Sequence, residues 1–565
     1  MILFRQGEYD DLRRVLGTID RGALVRKPTN AAILAYLLSA TGQSRAALEV
    51  LYDARRANRE SADAHLQYIV RYPTLRRGID QPEVAGPEVA VEILGSGAPG
   101  WVLLTSSDAD AGQSEYALDH PTARAVQGRR TGEPVAFPEN PRIHWSVGAL
   151  DTKFAFAFRQ SLTTYPARFP TERGLEQHEV PDGDPDQFRE QLRARLVEGE
   201  PLRAALHRSY AEGRTTLGSI ATVLGLSSVE AIHRILATRT GLIAARGAGD
   251  GAQAAESLGE PDVELVLDVS ACFVLDAVGA LRGGPLARRK LSVAQSTIDE
   301  FRAELSRWND YPSEGFPSIA HEAGQLVRVA TTGETVQAAR AHFESLLTWL
   351  RGNVLIRPIT SSTYARQAAH REVGHQLGHS FWDSMLVASE PGRLLVSDDA
   401  VLRQLYLAEF SGPSVSSASL LQKEATDGVI AKERYEDIAL RLLCMRYRYI
   451  PTDVSVVVTA ARNEAWRPQG SLALVLEVLN GPVVNVQWAT ILAAQFFRAI
   501  WLEGVERQKR ENLYTAVLSA LCTERQVAEA LPIFRACLQA SLGLLPFALV
   551  ETLRTLDVWT KVRAA

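Results

Sequence analysis

The side chains with the clearest capacity for chemistry are carboxylates between residues 264 and 399. Glu264-Leu265-Val266-Leu267-Asp268 is an apolar run that ends in acid, and Arg393-Leu394-Leu395-Val396-Ser397-Asp398-Asp399 repeats the pattern. Between them lie Glu300, in Ser296-Thr297-Ile298-Asp299-Glu300-Phe301, and Asp383, in Ser380-Phe381-Trp382-Asp383-Ser384-Met385. Two short apolar runs that each end in acid read as parallel strands. They present carboxylates at their C-terminal ends, where open α/β sheets place ligands. Four such acids in one pocket make a hard, oxygen-rich site for Mg²⁺ or Mn²⁺. Without a cation they would repel one another and raise their own pKa values.

The elements that must position these acids can be read from local pattern. Cys272 to Leu281 reads as the helix after the first strand, and Lys290 to Val293 as a second short strand. Ser296 can cap a helix that places Glu300 and Glu304 one turn apart on one face. Asn309 to Thr363 is expected to hold further helices. Ser380 to Glu390 is expected as a helix with Asp383 near its start, then a strand over 393–396 and a helix from about Val401 that carries Arg403. His375 and His379 are four apart, a spacing that can bind Zn²⁺. No Glu lies between them in the HExxH manner, and Gly374 and Gly378 weaken a helix there. Packing or substrate positioning is the preferred reading of these histidines.

The ordered set resembles the PIN-domain nuclease family. That family has a strand-end Asp, a helical Glu after the second strand, a helical Asp, and a strand ending in Thr/Ser-x-Asp. Asp268, Glu300, Asp383 and Asp399 match, with Ser397 as the hydroxyl and Asp398 at the variable position. The resemblance runs from about 262 to 410. Gly428-Val429-Ile430-Ala431, Tyr435 and Tyr447-Arg448-Tyr449-Ile450 look like the closing part of larger members. The wide gap between Glu300 and Asp383 implies an inserted helical segment. The resemblance implies Mg²⁺- or Mn²⁺-dependent hydrolysis of phosphodiesters, with RNA the favoured substrate and DNA still open. Asp268, Asp383 and Asp399 would be metal ligands, directly or through water, with Asp398 the alternative to Asp399 as the main ligand of the last motif. Glu300 would hold the metal's water or act as a base. Ser397 would donate to a carboxylate or a phosphate. Arg288, Arg289, Lys290 and Arg403 are candidates for phosphate contacts, the plainer alternative for the basic run being a solvated loop.

Two further resemblances lie upstream. Ala31-Ala32-Ile33-Leu34-Ala35, Gly42, Ala47-Leu48, Ala54 and Ala62 resemble a tetratricopeptide repeat, preceded by the end of another from Phe4 to Leu16. One and a half repeats bury a poor core, so these helices continue a longer array or lean on the next domain. The stretch His120-Pro121-Thr122-Ala123-Arg124-Ala125-Val126-Gln127-Gly128-Arg129-Arg130-Thr131-Gly132-Glu133-Pro134-Val135 resembles the C-terminal domain of Gre-type transcript-cleavage factors. His120 and Glu133 replace that family's Ser and Asp. The resemblance implies a small FKBP-like α+β module that docks on RNA polymerase. Protein binding is the role implied for the repeat-like helices.

Thr215 to Glu230 fits a helix-turn-helix, with Gly225 in the turn and Ser227 or Ser228 capping the second helix. That helix begins Val229, Glu230, Ala231, and so lacks base-reaching side chains. A packing hairpin is preferred to a DNA reader. Glu176–Arg189 and Gly247–Gly259 read as linkers. From about 415 onward helical periodicity dominates, without a chemical motif.

The expected architecture is multidomain α/β plus α. Residues 1–80 are tetratricopeptide-like, 85–165 Gre-like, 166–258 helical with linkers, 259–450 PIN-like and 451–565 a helical domain. At 565 residues the chain exceeds one core. A formal net charge of -5 excludes a globally basic nucleic-acid binder but permits a local groove. The four cysteines are scattered and read as reduced thiols. No signal peptide or transmembrane run is evident, so a cytoplasmic location is expected. The combination points to a toxin or effector of a bacterial defence or stress system. The rival readings are a non-enzymatic, polymerase-docking scaffold and a DNA-binding regulator using residues 215–235.

Overall fold

The computed structural model describes residues 3–4, 8–106, 109–135, 144–169, 185–238, 240–244, 258, 263–282, 284–322, 325–359, 368–448, 453–479, 486–523 and 527–564. Most of both expected linkers, and Tyr449 and Ile450, lie outside these residues. The chain divides into two compact units, Met1–Phe188 and Arg189–Ala565.

In the first unit, the antiparallel helices Pro28–Ala40 and Ser44–Ala57 are succeeded by Ala62–Leu75. Small residues at the contact, Ala31, Ala35, Ala47 and Ala54, are buried and let the backbones approach. Next come five strands, β1 Val89–Leu94, β2 Gly100–Thr105, β3 Glu115–Ala117, β4 Pro134–Val135 and β5 Trp145–Thr152, in one sheet of order β3-β2-β1-β5-β4. The repeat-like helices lean on a helix that follows the sheet. Helix Lys153–Arg168 runs directly on from β5 and contributes Phe154, Ala155, Phe156 and Ala157 to the helices' core. Tyr68 donates to the Phe154 carbonyl at 2.9 Å, and the Tyr72 and Phe158 rings stack at 4.5 Å. In the Gre-like stretch, the His120 ring accepts from the Thr122 amide and so caps helix Pro121–Val126. The Glu133 carboxylate accepts from the Arg130 amide, closing its own loop.

The second unit is built on a parallel sheet. Its strands are β7 Glu264–Leu267, β8 Leu291–Ala294, β11 Leu355–Arg357, β12 Arg393–Val396 and β13 Ser414–Val415, in the order β11-β8-β7-β12-β13. The three central strands, β8, β7 and β12, are buried almost throughout because helices cover both faces. In the register of β7 and β12, Leu267 lies opposite Val396, so Asp268 and Ser397 leave the sheet side by side. Helix Val269–Ala277 starts at Asp268, Gln295–Asp310 carries Glu300, His379–Ala388 carries Asp383, and Ala400–Phe410 starts at Asp399. Two short strands outside the main sheet, β6 Leu242–Ile243 and β14 Tyr447–Arg448, pair in parallel.

The insertion between Glu300 and Asp383 is not purely helical. Residues Gly315–Glu322 (β9) and Gln325–Thr332 (β10) pair as an antiparallel ribbon before helix Gly333–Asn353. Ile319 and Val329 are exposed on this ribbon, so no buried face marks it as strand in the sequence. Helices Leu217–Leu224 and Ser228–Ala237 form the expected hairpin, bent by 105°, with Gly225 at φ +62° in the turn. Ser227 caps the second helix in a capping box with Glu230. The C-terminal helices from Val454 to Ala564 share one continuous apolar core with the parallel sheet. Among the described residues, no single helix is long and apolar enough to cross a membrane.

Candidate active site at the carboxyl end of the sheet

Asp268, Asp398 and Asp399 are all fully buried where β7 and β12 end. Asp268 caps the helix it precedes. Its Oδ1 accepts from the Ser270 hydroxyl at 2.6 Å and the Ala271 amide at 2.8 Å. Its Oδ2 is buried and makes no hydrogen bond. Burial pushes the pKa of this carboxyl up to about 7; donors on Ser270, Ser397 and Ala271 oppose the rise, and the neighbouring Asp398 adds to it.

The Ser397-Asp398-Asp399 turn divides its two acids between different partners. Asp398 accepts from the Ser417 amide at 2.8 Å, the Ser417 hydroxyl at 2.6 Å and the Tyr447 hydroxyl. Its own amide donates to Ser270 Oγ at 2.9 Å, which ties the ends of β7 and β12 together. Burial raises the pKa of Asp398 despite these donors. Asp399 caps helix Ala400–Phe410 through the Val401 and Leu402 amides at 3.0 and 3.1 Å. Its Oδ2 accepts from the Leu217 amide at 2.6 Å. Burial pushes this carboxyl up to about 6, against those three amides. Hydrogen bonds to charged groups contribute about 1.5–3 kcal/mol each, so both turn acids are held firmly.

Glu300 and Asp383 are half-buried on neighbouring helices. The Ser380 hydroxyl lies 3.5 Å from Glu300 Oε1, and the Thr297 and Ser384 hydroxyls are 3.4 Å apart, so these helices meet through small polar side chains. Glu300 Oε2 accepts from the Ser228 amide at 3.3 Å. Glu304, one turn on, accepts from the Ser227 hydroxyl at 3.1 Å.

The expected phosphate contacts are placed elsewhere. Arg288, Arg289 and Lys290 precede β8, which runs parallel to β7, so they lie at the amino end of the sheet, opposite Asp268. Arg289 pairs with buried Glu424 at 2.7 Å and Lys290 with buried Glu264 at 3.1 Å. The cause is local: two buried carboxylates at that edge require cations. Arg403 is on the acidic side but nearly buried, and it donates to the Ser397 carbonyl at 2.9 Å. It fastens the acidic turn.

Several partners carry no motif of their own. Ser270 bridges Asp268 and Asp398. Ser417 and Tyr447 hold Asp398. The amides of Leu217 and Ser228 reach Asp399 and Glu300. Tyr447 falls within the stretch that resembles the closing part of larger PIN proteins, and that was the one available signal. Backbone amides leave no trace in residue type.

The donor set can be tested against the divalent ion that this fold implies. The unpartnered Asp268 Oδ2 is a fitting ligand atom. The oxygens around it are not: three amides take most of the roughly four lone-pair directions of Asp399, and Ser417 and Tyr447 occupy Asp398. Among the described residues no group of three or more His, Cys, Asp or Glu side chains converges closely enough to hold a metal ion. This arrangement therefore does not fit the metal. It gathers the strand-end acids, leaves Glu300 and Asp383 on the adjoining helices, and satisfies most of the carboxylates with neutral donors. His375 and His379, with ring centroids 6.3 Å apart, likewise belong to no such group.

No curated protein and no solved structure matches the chain. Residues 266–408 match the family model described as the PIN domain associated with the TPR-GreAB-C-PIN system, so this stretch of the second unit is similar to a PIN domain.

Proposed function

We propose that the protein is a divalent-metal-dependent nuclease acting on RNA in preference to DNA. The observation that carries this reading is the coincidence of the matched stretch 266–408 with Asp268, Glu300, Asp383 and Asp399. PIN domains are nuclease-type domains, and in this chain the strand-end acids emerge where parallel α/β sheets bind ligands. Asp268, Glu300, Asp383 and Asp399, with Asp398 next to them, are the residues we assign to Mg²⁺ or Mn²⁺. Ser397 orients the turn that carries two of them. The closed arrangement of these acids is not the hydrolytic one, because its donors already have partners. The test is metal-dependent cleavage of single-stranded RNA and DNA by the full chain, lost in Asp268→Asn and Asp383→Asn.

A second reading has its own support. Asp268 and Asp399 cap helices and Asp398 knits β12 to the Ser417 helix, which is what purely structural acids would do. On this reading the chain is a scaffold. Its tetratricopeptide-like helices would bind protein, and residues 85–165 would dock on RNA polymerase, as the Gre-like stretch implies. A role as a toxin or defence effector fits the nuclease reading and rests on analogy from the combination of domains. If deletion of residues 85–165 leaves polymerase capture from solution unchanged, the docking proposal fails.

A further inference from the structure

The helical hairpin 217–237 lies outside the matched PIN residues, yet it supplies donors to the PIN acids. Its first helix directs the Leu217 amide at Asp399 Oδ2, 2.6 Å away. Its second directs the Ser228 amide at Glu300 and the Ser227 hydroxyl at Glu304. Arg307, on the Glu300 helix, pairs with both Glu230 of the hairpin and Glu304. The Thr222 hydroxyl donates to the His375 carbonyl at 3.0 Å. Both helices thus point their N-termini at PIN carboxylates, and each such end carries about half a positive charge.

We propose that this hairpin is a built-in plug: its helix ends neutralise Asp399 and Glu300 in place of a divalent cation, so that hairpin seating and metal binding exclude each other. The inference rests on reading the acids as a metal site. The geometry enforces the exclusion. A Mg²⁺ ion sits about 2.1 Å from a carboxylate oxygen in a strict octahedron and keeps several waters. Asp399 Oδ2 already has an amide nitrogen at 2.6 Å, and its surroundings are sealed from solvent. Asp268 Oδ2, at the end of the neighbouring strand, is buried and unpartnered. An orphaned buried carboxylate oxygen is costly, and a cation entering after the hairpin lifts would satisfy it.

The hairpin packs into the core of the second unit, and its closest approach to residues 377–381 is at Gly218. A Cβ on Gly218 would fall 1.6 Å from the Leu377 carbonyl oxygen and 2.7 Å from the Phe381 ring. Gly218→Ala therefore wedges the first helix away from the PIN domain. Leu217→Pro acts differently. It deletes the amide that reaches Asp399, at the first helical position where proline is tolerated. The preceding Thr216, at φ −95° and ψ 163°, already suits a following proline.

The test is Mn²⁺ titration of the full chain at pH 7.5, followed by the spectrum of free Mn²⁺ and by amide hydrogen exchange. A mostly closed site lowers apparent affinity by the fraction of open molecules, so both variants should bind Mn²⁺ about tenfold or more tighter than wild type. The gain should vanish when Asp268→Asn is added. In the wild type, Mn²⁺ should speed exchange across residues 217–237. If folded Gly218→Ala and Leu217→Pro bind no tighter than wild type, or if the gain survives Asp268→Asn, the plug is overturned. If neither variant folds, wild-type exchange decides: hairpin amides unmoved at saturating Mn²⁺ overturn it. Tighter Mn²⁺ binding with no cleavage of RNA or DNA would support the plug and overturn the nuclease reading.

Discussion

Strand β7 carries an acid at each end, and the two have opposite fates. Glu264, at the amino end, is nearly buried and meets three cations: Arg357 at 2.6 Å, Lys290 at 3.1 Å and Arg393 at 3.4 Å. Burial alone would raise its pKa, but donors on Arg357, Ser292 and Lys290 outweigh that and hold it near 2. Asp268, at the carboxyl end, meets hydroxyls and an amide, and burial lifts it to about 7. One strand therefore displays a carboxylate whose charge is fully answered and another whose charge is not. Structural acids are compensated within the fold. An acid left uncompensated is a candidate for a ligand from outside.

This contrast can be broken by neutralising each acid in turn. The larger effect is expected at Asp268. Its folded pKa lies above the unfolded value of 3.8, so its stabilising contribution is complete below about pH 4 and is lost as pH rises through about 7. Asp268→Asn keeps an acceptor for Ala271 and Ser270 and removes the buried charge. Urea unfolding should find the variant close to wild type at pH 5 and more stable at pH 8, by about 1–4 kcal/mol. Equal destabilisation at both pH values would mean that the charge is compensated after all.

Glu264→Gln should do the reverse. The folded pKa of Glu264 lies below its unfolded value, so it stabilises above about pH 4.5 and loses that effect as pH falls through about 2. At pH 8 the variant should be less stable by about 1.5–3 kcal/mol, since it weakens charge-assisted bonds to Arg357 and Lys290. A stabilising substitution here would erase the distinction between the two ends. The smallest effect is expected at Lys290. Its side chain is 56% exposed, so Lys290→Ala should cost less than about 1 kcal/mol. It should leave RNA affinity unchanged, because it sits at the wrong end of the sheet. A loss of RNA binding in that variant would restore the basic run 288–290 as a phosphate contact.

Much of the stretch 264–410 was legible because its central strands are short and largely apolar, with Asp268 and Asp398–Asp399 just beyond two of them. The order strand, helix, strand, helix was readable from Glu264 to Glu300 and again from Ser380 to Asp399, but β9, β10 and β11 between them were not; Gly225 marked the hairpin's turn, and Ser227 or Ser228 its cap. Pairing across long separations was not readable. Leu217 and Asp399 meet through a backbone amide, which every residue but proline carries. Apolar run plus acid also describes both ends of β7, so pattern alone cannot distinguish Glu264, which begins the strand, from Asp268, which ends it. The basic run 288–290 looked suited to phosphate because Glu264 and Glu424, its actual partners, are distant in sequence. The β9–β10 ribbon escaped because exposed faces remove the alternation that reveals a strand.

The most direct measurement is cleavage of end-labelled single-stranded RNA by the full chain with Mn²⁺, comparing wild type, Gly218→Ala and Gly218→Ala with Asp268→Asn. A plugged nuclease should cleave slowly as wild type and faster as Gly218→Ala. Neutralising Asp268 should then lower the rate by more than about a hundredfold, some 2.7 kcal/mol of barrier. Cleavage that persists without the Asp268 charge, or none by any of the three proteins, would contradict a plugged, metal-dependent nuclease.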